Sequence, residues 1–81
     1  MATPEERLEA AARLYDEAAE ELERAAAHAR VSAQHFRDGE VPRGAAHAWA
    51  TRGHILAAEK ALDEQALEHR LRSRTPEPGS P

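Results

Sequence analysis

The stretch Arg37-Asp38-Gly39-Glu40-Val41-Pro42-Arg43-Gly44 lies near the midpoint of an 81-residue chain and decides its fold. It is the one strong break in an otherwise helix-favouring sequence. Glycine reaches the left-handed conformation without a Cβ penalty, so Gly39 reads as the residue that closes a first helix. Pro42 reads as the opening residue of a second, where its missing N–H costs nothing and its φ is already helical. Val41, preceding the proline, is biased toward an extended conformation. A loop of about three to five residues is the usual link between antiparallel helices. The expected fold is therefore all-α: an antiparallel two-helix hairpin with long helices at about 4–37 and 42–73.

The first helix has a clear start. Thr3 can cap, Pro4 occupies the first helical position, and Glu6 completes a capping box three residues on. No breaker follows until Asp38-Gly39. Leu8, Tyr15, Leu22, Ala29 and Phe36 recur every seven residues, and alanines at 11/12, 18/19, 25/26 and 33 fill the complementary positions. Such repeats signal coiled-coil-type packing at close range. Leu14 and Val31 lie off this stripe and mark a second contact.

On the second helix Ala45, Ala48, Trp49, Ile55, Leu56, Leu62, Ala66, Leu67 and Leu71 make a wide apolar face. Arg52, Glu59, Asp63 and Arg70 split it into one edge of Ile55, Leu62 and Ala66 and another of Trp49, Leu56 and Leu67. Two apolar edges call for two neighbours. Folding about Val41 pairs Ala33 with Trp49, Ala26 with Leu56, Tyr15 with Leu67 and Ala11 with Leu71. Mid-helix Gly53, opposite Ala29, reads as a point of close helix contact. The expected core and interface are thus Leu8, Tyr15, Leu22, Ala29, Phe36, Trp49, Leu56, Leu62 and Leu67. One hairpin cannot cover both edges, which predicts a homodimer closing into a four-helix bundle. Residues 1–73 form the single domain. The Pro-rich residues 74–81 read as a disordered tail.

A chain this short usually needs disulfides, metal or a partner. It has no cysteine, which removes disulfides and thiolate metal sites. No signal peptide or membrane-spanning run is visible, so the expectation is a cytoplasmic protein without a membrane partner. A net charge of −4 argues against nucleic acid. That charge is uneven: residues 1–25 net −5, residues 26–55 net +2, and the remainder nets −1. The turn end also carries four of the five histidines.

Those histidines are the candidate site. His28 and His35 are seven apart on the first helix, His47 and His54 seven apart on the second. The fold axis matches His28 with His54 and His35 with His47, giving two cross-helix pairs near the turn. Neutral imidazoles from facing helices could bind zinc, copper or nickel. Alternatively, four together would repel when protonated, making a pH switch. A helical wheel places them well over 90° from the apolar centres of their helices, so the plain reading is polar surface. Asp38 is the only carboxylate at helical spacing from any of them. Arg24, one turn before His28, counts against a cation there. No Glu-x-x-His motif accompanies them, and no nucleophile–base pair, phosphate loop or acid/base carboxylate pair is present, so no enzyme and no cofactor are expected.

With a tryptophan following its turn, the hairpin resembles the small exported WXG-type helical hairpins in architecture. Here Trp49 is followed by Ala50-Thr51 instead of a glycine two residues on, and it lies inside the second helix. What the resemblance implies is export as an alternative to a cytoplasmic location. The principal expectation is a small non-catalytic assembly protein that dimerises through its Ala/Leu faces and contacts a larger partner. A histidine-cluster metal-binding bundle, loaded with Zn or Cu, is the alternative.

Overall fold

A computed structural model describes residues 2–72 of the chain, with side chains as far as Arg70. Two helices account for it: α1 (Pro4–Arg37) and α2 (Val41–Arg72), packed against each other as an antiparallel hairpin. Both ends of α1 are closed by the residues expected to close them. The Thr3 side chain accepts from the Glu6 N–H at 3.1 Å, satisfying one of the orphan donors of the first turn.

At the other end Gly39 has φ +75°, the left-handed state that glycine adopts cheaply. Its N–H donates to the Phe36 carbonyl at 3.1 Å, and the Glu40 N–H donates to the His35 carbonyl at 2.8 Å. Together they form the paired contacts of a Schellman cap. The Gly44 N–H then reaches the Glu40 carbonyl at 3.0 Å and opens α2. Val41 is therefore helical, not extended, and Pro42 is second in α2. The first turn has no intrahelical use for proline's missing N–H, which overrides the extended bias on Val41.

The seam between the helices runs through small and polar residues. On α1 it follows Ala11, Leu14, Ala18, Glu21, Ala25, His28, Ser32 and His35; on α2 it follows Gly44, His47, Thr51, His54, Ala58, Ala61 and Gln65. Both series alternate steps of three and four, the spacing that keeps one face of a helix on its neighbour. Among the described residues Ala18, Ala25, Ala58 and Ala61 are the buried apolar side chains, with Ala58 only 1% exposed. Leu14 packs against this alanine cluster. The Ser32 hydroxyl, also buried, donates to the Gly44 carbonyl at 2.7 Å. A Cβ on Gly44 would come within 2.8 Å of the Phe36 ring. Glycine is what lets that ring lie over the start of α2.

The seam thus differs by one residue in phase from the stripe of large side chains. Leu8, Tyr15, Leu22, Phe36, Leu56, Leu62 and Leu67 are exposed in the single chain, as is Ala29. Trp49 is 78% exposed and does not pack on Ala33. Nor does Gly53 mark a close contact, since a Cβ there would meet nothing within 4 Å. Alanine, glycine and serine on the facing surfaces allow the two backbones close together. The large residues are left facing outward. The expected layer of Ala11 on Leu71, and the tail at 74–81, lie outside the described side chains and residues.

Candidate functional site

Because the seam takes the phase of His28 and His35, the histidines lie half-buried along the seam and not out on the polar surface. The antiparallel fold interleaves them into a column in the order His54, His28, His47, His35. Successive ring centroids are 5.2, 5.2 and 5.4 Å apart, with interplanar angles of 16°, 31° and 22°. His28 stacks on His54 and His35 on His47. The two middle rings meet Nδ1 to Nδ1 at 2.9 Å. A neutral imidazole has one donor and one acceptor nitrogen, so one of this pair carries its proton on Nδ1 and the other on Nε2.

A carboxylate closes each end of the column. His54 Nδ1 lies 2.6 Å from Glu21 Oε2, and His35 Nδ1 lies 3.0 Å from Glu40 Oε2. Each carboxylate is in turn held by an arginine: Arg24 Nη1 donates to Glu21 at 2.8 Å, and Arg43 Nη1 to Glu40 at 3.3 Å. The hydrogen bond from His54 is the main reason the Glu21 carboxyl is held below its ordinary range. Partial desolvation opposes it, while the charges of His54 and Arg24 and the Arg24 hydrogen bond add to it.

Two of these partners escape a reading by helical spacing. Glu40 reaches His35 from the loop, and Glu21 reaches His54 across the seam. The signal for Glu21 was its membership of the series 21, 28, 35, one heptad before His28. Asp38, the carboxylate that spacing favoured, accepts instead from Gln34 Nε2 at 3.0 Å. Arg24, which counted against a cation near His28, is engaged by Glu21.

The four histidines expected as metal ligands are therefore brought together, but as a stack whose Nδ1 atoms face one another or a carboxylate. Among the described residues, no group of three or more His, Cys, Asp or Glu side chains is placed to hold a metal ion. No helix there is long and apolar enough to cross a membrane.

Grooves flank the seam, among them one at the open end lined by Glu6, Arg7, Ala11, Leu14 and Gln65 and two farther along it. One is lined by Glu17, Glu20, Glu21 and Glu64 with Ala57, Lys60 and Ala61, and it is acidic. The other contains Ala29, Ala33 and Phe36 of α1 and Ala48 and Thr51 of α2. Seven-residue steps continue the walls of this second groove along Leu22, Tyr15 and Leu8 on α1, and along Ile55 and Leu62 on α2. One side of the hairpin is thus a broad apolar face. Trp49, Leu56 and Leu67 form a separate exposed stripe on the back of α2.

No family model matches the chain, and neither a curated protein nor a solved structure matches it.

Proposed function

We propose that this chain is a small non-catalytic assembly protein that pairs with a second copy through its apolar face. The resulting four-helix bundle contacts a larger partner through what remains exposed, the Trp49–Leu56–Leu67 stripe included. One observation carries the reading: among the described residues the buried apolar side chains are four alanines, while ten large apolar residues are exposed, Leu8, Tyr15, Leu22, Phe36 and Leu62 of them on one face. Alanine burial removes little area from water, and a large side chain is worth about 1.5–3 kcal/mol when covered. A contiguous apolar face of this kind marks an interaction site.

The test is a charge on that face. Leu22→Glu is expected to leave a single helical hairpin in solution where the unmodified chain associates. Light scattering at matched concentrations reads the difference, and an unchanged mass would remove the face from the account.

A second reading is metal binding at His28, His35, His47 and His54. Its support is the meeting of two Nδ1 atoms 2.9 Å apart, where Zn²⁺ or Cu²⁺, which imidazole nitrogen suits, would displace the shared proton with a small parting of the rings. Calorimetric titration with Zn²⁺ or Cu²⁺ should then show binding that His47→Ala with His54→Ala abolishes; no heat from the unmodified protein ends this reading.

A further inference from the structure

The geometry points to a dimer whose two-fold axis crosses the apolar face at Leu22 and Ile55, laying each helix antiparallel on its own copy. This rests on the assembly reading above. On α1 the outward series is Leu8, Tyr15, Leu22, Ala29, Phe36, and Leu22 is its middle member. A two-fold there sets Leu22 on its mate, Tyr15 against Ala29 and Leu8 against Phe36. On α2 the same face carries Ala48, Ile55 and Leu62, with Ile55 in the middle. The same operation sets Ile55 on its mate and Ala48 against Leu62. Each helix thus has one layer that opposes a large residue to a small one, Tyr15 to Ala29 and Leu62 to Ala48, beside the large pairs Leu22–Leu22, Ile55–Ile55 and Leu8–Phe36.

One axis can serve both helices only if Leu22 and Ile55 lie at the same height. They do, because their chain neighbours Glu21 and His54 touch across the seam at 2.6 Å. Charge selects this axis over one parallel to the helices. It lays residues 1–21 of α1 (net −5) over residues 23–43 of the second copy (net +1), where the other would set the acidic open ends of the two hairpins side by side. Isologous contacts of this kind are what a two-fold requires.

The chain has no cysteine, so single replacements report the geometry directly. Leu22→Cys and, separately, Ile55→Cys should form disulfide-linked dimers on mild oxidation, while Phe36→Cys should not. Efficient cross-linking of Phe36→Cys with none at 22 or 55 would overturn this axis and leave the assembly reading standing. A single-chain mass by sedimentation at every concentration would remove that reading itself.

A second inference needs no second copy. We infer that the histidine column is a proton-operated clasp on the hairpin. The groups facing it are Glu21 with Arg24 at one end and Glu40 with Arg43 at the other; past Glu21 lie Glu17, Glu20, Glu64 and Lys60. Protons on His54 and His35 are offset by the carboxylates they touch. The middle pair can hold one added proton, because one ring still offers a lone pair to the Nδ1–H of the other. A second added proton makes both Nδ1 atoms donors and ends the 2.9 Å contact. It also places cations on adjacent rings of a column spaced by little more than 5 Å.

In the unfolded chain the two rings take up protons independently, so doubly protonating the middle pair favours unfolding. Urea unfolding at fixed protein concentration, at pH 7.5, 6.5 and 5.5, reads this. The expected result is a steep loss of stability toward pH 5.5 that is reduced by His28→Leu with His47→Leu, and also by His47→Gln if the double variant does not fold. Stability unchanged across that range, or an equally steep loss in the variants, would overturn the clasp.

Discussion

Replacing Ala58 with leucine should destabilise the hairpin although it adds apolar surface. Ala58 is 1% exposed and packs with Ala18 and Ala61 in the seam. If the three added carbons found room, burial would contribute about 2 kcal/mol in favour of folding. They have none, since the opposing residue is an alanine held close by the backbones, and α1 must move away. Overpacking of this kind costs about 1–3 kcal/mol. With a urea slope of about 1 kcal/mol/M for a small domain, the midpoint should fall by about 1–3 M.

The control is the same change one residue earlier. Ala57 is exposed and lines the acidic groove, so Ala57→Leu should stay within about 0.5 kcal/mol of the parent. Urea unfolding followed by circular dichroism compares the two. Equal shifts, or a stabilised Ala58→Leu, would refute the seam described above.

Gly39→Ala places a Cβ at φ +75°, and thermal unfolding should show a loss of about 1–2 kcal/mol. Ser32→Ala removes the buried hydroxyl that donates to the Gly44 carbonyl at 2.7 Å; chemical denaturation should register about 1 kcal/mol. Glu21 has its carboxyl held below the ordinary value of 4.5, so its contribution is present above that value and is lost as pH falls through the depressed one. Glu21→Gln should therefore flatten the acid limb of the stability curve below about pH 4.5 while leaving a separate slope near neutrality.

The hairpin was legible because its determinants are local. Thr3, Pro4, Gly39 and Pro42 each carry a backbone preference that the structure uses at or next to the expected position. Seam phase is a different kind of question. The series Leu8–Tyr15–Leu22–Ala29–Phe36 and the series Leu14–Glu21–His28–His35 have the same period and differ by one residue. Periodicity alone does not choose between them. Hydrophobicity favours the first for burial, but in a lone hairpin the close approach of Ala18, Ala25, Ala58 and Ala61 selects the second.

That single step moves Trp49 outward and the histidines inward. The cross-helix histidine partners were still readable, because a one-residue change of phase on both helices leaves residues near the fold axis at the same height. What spacing along one helix could not give were Glu21 and Glu40, whose contacts with His54 and His35 exist only once the seam and the loop are in place.

The most direct test of the central claim, that the outward apolar face closes on a second copy, is sedimentation equilibrium of the unmodified chain at pH 7.5 over a wide concentration range. The mass should rise to twice the 8.9 kDa of the single chain, and remain at 8.9 kDa for Leu22→Glu. A unit mass of 8.9 kDa at every concentration, from a chain that unfolds cooperatively, would contradict it.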